Sequence, residues 1–349
     1  MQGIISGLGT VFPVTYAKGV HLSPSMTLDE YIDNRPKVSV KDFGAIGDGI
    51  VDDYSAIQGA LNSIRNGGEL YFPKGTYLIK EAPVVFFSNQ KLIFEKGAKL
   101  LRGSESLNCL LLSHCDEEVG AYNGVQNVEI IGATFDLGES FNSNGGAIAF
   151  IHTNHLTIRD CIFENISGAW HYIECNGSTN VVIENCRFDK VRTSSASAEL
   201  IQIDASIDLA KYPWMGLKDA TVCTEITIRN NYFEGNGFSP AIGNHSEGQH
   251  TNIFIYNNLF KNFVASESEQ AGHRGVINFV EQAKKIFVFN NQFVNFSKAI
   301  IKSGSNVADC MVYNNIFIGN KYAIQAGCTF INNVIEVLDE VKFVSSGTV

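Results

Sequence analysis

Eight short segments of this chain can be laid over one another, and that overlay limits the possible fold more than any other feature. They are 128–135 (VEIIGATF), 156–163 (LTIRDCIF), 181–188 (VVIENCRF), 226–233 (ITIRNNYF), 253–260 (IFIYNNLF), 286–293 (IFVFNNQF), 310–317 (CMVYNNIF) and 328–335 (CTFINNVI). In each, apolar residues stand five and seven positions before the last residue, the period of a strand with one buried face. Three positions before the end stand Gly132, Asp160, Asn185, Asn230, Asn257, Asn290, Asn314 and Asn332. Those residue types tolerate a left-handed backbone and make sharp bends. Each segment therefore reads as strand, bend, strand.

Successive segments end 28, 25, 45, 27, 33, 24 and 18 residues apart. Recurrence every 20 to about 50 residues marks a solenoid. One strand-bend-strand unit per period, with no helical pattern between, predicts an all-β fold, a single-stranded parallel β-helix. Its coils would stack at about 4.8 Å, like residue on like. A sandwich of hairpins would reverse strand direction and gives no reason for the bend to recur in register. The stacking predicts a ladder of Asn side chains from 230 to 332 inside one turn, each amide bonding the next. It also pairs Cys161 with Cys186 and Cys310 with Cys328 as neighbours, so these read as free thiols filling space rather than bridges.

Composition excludes several classes. The formal net charge is −10 with no basic cluster, which argues against nucleic acid. No apolar run approaches a membrane span. The apolar start at 1–14 lacks the basic residues and cleavage pattern of a signal peptide. The eight cysteines include no C-x-x-C pair, so structural zinc is not expected, and a reducing cytosol suits their synthesis. No cofactor or metal is expected.

Three divisions follow. Residues 1–36 carry no repeat and form an arm or linker, with a short helix expected near 25–32, capped by Ser25 or Thr27. Residues 37–80 hold Gly44, Gly47 and Gly49 in a tight turn, then a helix with Ile57, Ala60, Leu61 and Ile64 on one face. Asp52 or Asp53 would cap it, Gly67 and Gly68 would stop it, and a strand pair split at Pro73-Lys74-Gly75 would follow. The helix would plug the open end of the solenoid, which otherwise exposes a sheet edge and apolar core. Residues 81–349 are the β-helix.

The stretch from Val38 (VSVKDFGAIGDG), through Asp52-Asp53 and Ala56-Ile57, to Leu70–Leu78 (LYFPKGTYL) closely resembles the opening of the pectate-lyase-like, or pectin lyase-fold, superfamily. It is most similar to the branch found in bacteriophage tail spikes and tail-associated depolymerases, and Thr27–Pro36 resembles the linker that precedes this motif there. The resemblance implies a right-handed β-helix, a homotrimer, and action on a host surface polysaccharide. It further implies a place in the virion tail, after synthesis in the host cytoplasm, with the N-terminal arm meeting other tail proteins. The superfamily contains lyases, hydrolases, epimerases and plain binders, so chemistry must come from residues.

Between the ladder segments lie strands with Ile148, Ile173, Ile201 or Ile203, Ile242, Ile277, Ile300 and Ile324 as inward positions. Their outward neighbours in the middle coils are polar: Glu174, Gln202, Asp204, His245 and Asn278. That concentration suggests a groove. The 45-residue step adds Asp208 and an excursion with Tyr212 and Trp214, aromatic platforms on which sugar rings can stack. Glu247 and His250 continue the loop of His245, without the helical spacing of a zinc signature. His171, Gln202, Tyr212, Trp214, Glu247, His250, Arg274 and Asn278 are the candidate substrate-binding residues.

Glycoside hydrolysis needs two carboxylates. Glu174 and Asp204 project from neighbouring coils on one face, at about one coil spacing widened by a one-position offset, and are the expected catalytic pair. Asp208 and His245 are the reserves. A lyase would need cations to neutralise a uronate, and Lys211, Arg274 and Lys302 are the only obvious ones, so hydrolysis is preferred. The alternatives are a polysaccharide lyase, a non-catalytic adhesin for a surface glycan, and a module of a longer spike.

Overall fold

The computed structural model describes residues 21–23, 26–27, 35–193, 198–207, 216–236, 239–244, 248–264, 275–279, 283–300, 307–319, 322–325, 328–337 and 343–344. The chain divides into two units, Met1–Lys37 and Val38–Val349. In the first, His21–Ser23 pairs antiparallel with Met26–Thr27. A helix started by Ser25 or Thr27 is therefore not formed at 26–27; the remainder of that expected helix lies outside the described residues. Pro24 gives a reason, because a residue before proline is pushed toward extended backbone.

The second unit opens with a capping box. The Lys41 amide donates to Ser39 Oγ (3.2 Å) and the Ser39 amide to Asp42 Oδ2 (2.9 Å), starting a 3-10 turn at Val40–Phe43. The expected helix spans Tyr54–Ser63 and buries Ile57, Ala60 and Leu61. Asp53 holds the N-cap position, yet its side chain does not cap the helix. Its carboxylate instead accepts the amides of Ile46 (2.6 Å) and Gly47 (3.0 Å), pinning the glycine turn to the helix start. Asp52 Oδ1 takes the Tyr54 amide at 3.1 Å.

From Gly68 onward three parallel sheets run the length of the unit. Each ladder segment crosses two of them. The first-sheet strands, such as Gln126–Ile131 and Thr224–Arg229, send Val128, Ile130, Ile226 and Ile228 into the core. The second-sheet strands carry the terminal aromatic. Phe135, Phe163, Phe188, Phe233, Phe260, Phe293 and Phe317 are all buried and stack ring on ring, with centroids 4.6–5.0 Å apart. Offset stacks of this kind add to the apolar burial that holds coil to coil. At every bend the predicted residue is left-handed, from φ 79° at Gly132 through 52–57° at Asp160 and the six asparagines. Asn and Asp accept this region through local side-chain bonds, which most residues cannot.

The amide ladder lies one residue later than expected. Asn230, Asn257, Asn290 and Asn314 are exposed; Asn231, Asn258, Asn291 and Asn315 are buried. Each buried Oδ1 accepts from the preceding coil, as Asn258 Oδ1 does from Asn231 N (2.9 Å) and Nδ2 (3.1 Å). Each Nδ2 also donates to a main-chain carbonyl, Asn258 to Ile228 at 2.9 Å. The left-handed residue turns its own side chain out, so its successor fills the corner. Ala133, Cys161 and Cys186 hold the same buried column in earlier coils. All eight cysteines are free, and Cys310 stands opposite Cys328 in register.

Candidate functional site

The third sheet runs through Gly146–Ile151, Ile173–Asn176, Ile201–Asp204, Ile242–Asn244, Ile277–Phe279, Lys298–Ile300 and Tyr322–Gln325. Ile148, Ile173, Ile201, Ile242, Ile277, Ile300 and Ile324 align as one row. Ile203 aligns with Cys175 two residues along, so both isoleucines of that strand face in.

Alternation then fixes the opposite face. One column reads Ala149, Glu174, Gln202, Gly243, Asn278; the next reads Ile151, Asn176, Asp204. Glu174 and Asp204 therefore share a face on adjacent coils, but diagonally and two residues apart, not one. A coil rise of about 4.8 Å combined with two strand residues of about 3.3 Å each puts their Cα atoms about 8 Å apart. Both carboxylates are largely buried, at 7% and 5% exposure. Gln202 Nε2 donates to Asp204 Oδ2 at 2.6 Å and so fixes that carboxylate.

Two residues extend the cluster at the corner where the chain enters this sheet. His171 Nδ1 lies 2.8 Å from the Glu199 carbonyl oxygen and 3.6 Å from Glu199 Oε2, with both side chains buried. Glu199 escaped the sequence reading because alternation fails there. Tyr172 and Ile173, like Leu200 and Ile201, both enter the core. The Ala147 and Ile148 amides both reach the Tyr172 carbonyl (3.1 and 3.0 Å), the mark of a local bulge. The signal present was register: Glu199 precedes Ile201 by the interval that separates His171 from Ile173.

Gly243 makes room for Glu199. A Cβ there would fall 2.5 Å from the Asn278 carbonyl oxygen and 2.9 Å from Glu199 Cγ, so Glu199 occupies the space a side chain would take. Asn278 is fully buried in the same column, and neither its amide oxygen nor its nitrogen has a hydrogen-bond partner. A buried amide left unpaired is costly, so Asn278 is a group that a ligand's polar atoms could satisfy.

His250 does not join this face. It begins the first-sheet strand His250–Tyr256, and its Nδ1 accepts the Cys223 amide at 3.1 Å in the interior. Its expected substrate contact is thus replaced by a structural one. Asp208, Tyr212, Trp214, His245, Glu247 and Arg274, with Lys211 and Lys302, lie outside the described residues. Among the described residues no group of three or more His, Cys, Asp and Glu side chains could hold a metal ion, and no helix is long and apolar enough to cross a membrane.

Known proteins share this architecture. Residues 37–93 match the family model "Rhamnogalacturonase A/epimerase, pectate lyase-like". Over 277 residues the chain is 31% identical to plasmin and fibronectin-binding protein A of Streptococcus pneumoniae, covering 69% of this chain and 38% of that protein. Over 250 residues it is 24% identical to the tail spike protein of Shigella phage Sf6, covering 60% of this chain and 37% of the spike. The chain thus spans little more than a third of either relative. The crystal structure of PfbA, a surface adhesin of S. pneumoniae, superposes with a TM-score of 0.60 at 22% identity, over 88% of this chain and 93% of that one. A hyperthermoactive exopolygalacturonase from Thermotoga maritima superposes at 0.55 and 15% identity, over 89% and 92%. Repeat, register and these likenesses agree: the chain is a right-handed parallel β-helix whose opening, residues 37–93, is pectate lyase-like, with homology to a phage tail spike.

Proposed function

We propose that this chain is a tail-spike-like protein that binds a host surface polysaccharide and cleaves it by glycoside hydrolysis, with Glu174 and Asp204 as the catalytic pair. The observation that carries the reading is their diagonal placement on one polar face, on adjacent coils of an otherwise apolar stack. With Cα atoms about 8 Å apart, side chains of this length can bring their carboxyl groups to the roughly 5–9.5 Å that two-carboxylate glycoside chemistry uses. The mechanism needs one carboxylic acid to protonate the leaving oxygen and one carboxylate to activate water. Asp204, fixed by Gln202, suits the ionised role, and Glu174 the donor. His171, Gln202 and Asn278 would hold sugar hydroxyls, with Tyr212, Trp214, Glu247 and Arg274 the further contacts and Asp208 and His245 the reserves. Homology to a phage tail spike supports a virion-tail location; a homotrimer, attached to other tail proteins through residues 1–36, is part of the same reading.

A second reading has its own observation. A relative matched over 69% of this chain is a plasmin- and fibronectin-binding protein, and a similar solved structure is that of a surface adhesin, so a purely binding role is the alternative. Glu174→Gln and Asp204→Asn decide between them on any glycan the protein retains. Under hydrolysis each variant lowers turnover about a hundredfold or more, with binding and melting temperature nearly unchanged. Unchanged turnover in both removes the pair, and binding with no turnover in the wild type supports the adhesin.

A further inference from the structure

Beneath the polar face two thiols meet. Cys175 sits in the strand Ile173–Asn176 between Glu174 and Asn176, but its side chain points into the core. Cys223, 48 residues later, closes the long excursion that carries Glu199, Gln202 and Asp204. Their sulfurs are 3.5 Å apart and both residues are fully buried.

The Cys223 sulfur meets main-chain groups of both kinds, with its thiol facing the Asp204 and Cys175 carbonyl oxygens at 3.3 and 3.5 Å. The Ser178 amide lies 3.4 Å from its sulfur, as a donor to it, and the His250 ring is fixed beside it through the Cys223 main chain. Backbone N–H groups aimed at sulfur favour the thiolate. Burial opposes ionisation of Cys223, but contacts with Cys175 and His250 overcome it and draw the thiol below its ordinary range. Burial drives the Cys175 thiol well above that range. One easy and one hard ionisation is the pattern of two thiols sharing a proton. The other stacked pair at the bend, Cys161 and Cys186, likewise donates to main-chain carbonyls at 3.2 Å, while Cys223 also receives a main-chain N–H at its sulfur.

We propose that Cys175 and Cys223 are an oxidation site, joined by a peroxide-class oxidant into a disulfide that ties the excursion to the floor of the polar groove. Closing the pair to a bond of about 2.0 Å moves the sulfurs by only about 1.5 Å in all. The Cys223 thiolate attacks one peroxide oxygen; the O–O bond breaks, and the departing hydroxide takes a proton to become water. Cys175 sulfur then attacks the resulting sulfenic sulfur, its proton leaves with the hydroxyl as a second water, and the S–S bond forms. Two thiols and one hydrogen peroxide give one disulfide and two waters. The bond closes a long loop, the case in which a cross-link restrains the unfolded chain most. A chain made in a reducing cytosol and used outside the cell would acquire the tie on release.

The test uses the full chain and hydrogen peroxide. After treatment, remaining thiols are alkylated under denaturing conditions and the peptides mapped by mass. A Cys175–Cys223 cross-linked peptide, a melting temperature several degrees above that of the reduced protein, and reversal of both by dithiothreitol are expected. Cys223→Ser abolishes the cross-link and the shift. The wild-type peptide map decides the matter even if that variant folds poorly. Recovery of both cysteines as alkylated thiols, or a cross-linked form that melts no higher than the reduced one, overturns the proposal.

Discussion

Replacing Asn258 by leucine should be among the most damaging single changes available in these coils. Its Oδ1 accepts the Asn231 main-chain N–H at 2.9 Å and the Asn231 side-chain amide at 3.1 Å. Its Nδ2 donates to the Ile228 carbonyl at 2.9 Å and to Asn291 Oδ1 at 3.0 Å. Leucine has nearly the same volume and supplies none of these bonds. Two buried donors and one carbonyl lose their partners; Asn291 Oδ1 keeps the Asn258 main-chain amide at 2.9 Å. At about 1–3 kcal/mol for each of three orphaned buried groups, less the roughly 1.5–3 kcal/mol that leucine gains by burial, the net cost is about 1.5–6 kcal/mol. For a unit spanning Val38–Val349 that corresponds to a fall of roughly 2–9 °C in melting temperature. Asn257→Leu, one residue earlier, loses no buried bond. It costs only the penalty of a left-handed leucine, about 1–2 kcal/mol. Thermal unfolding of the two variants side by side tests the assignment. If Asn257→Leu is as harmful as Asn258→Leu, or Asn258→Leu melts like the wild type, the buried ladder is wrong.

Three further outcomes follow. Gly243→Ala places a Cβ 2.5 Å from the Asn278 carbonyl oxygen, so it should cost about 1–3 kcal/mol in urea unfolding; an unchanged midpoint would deny the close packing of Glu199. Burial opposes ionisation of Asp136, but Lys99 (2.7 Å), Asn165 (2.8 Å) and the Gly138 amide (3.0 Å) prevail and hold its carboxyl below the usual range. Its contribution is present above the ordinary carboxylate pKa of about 4 and is lost as pH falls through the depressed value, so Asp136→Asn should flatten the acid limb of the melting-temperature profile. Light scattering at micromolar concentration should give three times the chain mass of 38.2 kDa; a monomer mass would reject the trimer.

Much of the fold was legible because a solenoid repeats its errors and its rules. A left-handed bend needs Gly, Asn or Asp, and all eight positions chosen on that ground are left-handed. What the repeat could not say was which of two consecutive asparagines faces inward. Only the three earlier coils, with Ala133, Cys161 and Cys186 in the second position, break the tie. The arm misled because Ser25 and Thr27 are residues that suit a helix cap, while pairing with His21–Ser23 took Met26–Thr27 instead. At the candidate site, period-two alternation correctly set Glu174, Gln202, Asp204 and Asn278 on one face. It failed at the corner bulge, and there the reading missed Glu199. His250 read as a loop histidine because glycines 243 and 248 flank its segment; the strand starts at His250 itself and buries the ring.

The central claim is that the polar face hydrolyses a glycan. The most direct measurement incubates the protein with purified capsular, wall and lipopolysaccharide glycans from bacteria and follows reducing ends together with ultraviolet absorbance from unsaturated products. The account predicts new reducing ends from at least one glycan, without unsaturated product, and their loss in Glu174→Gln. Glycan retained on the protein with no new ends would contradict it.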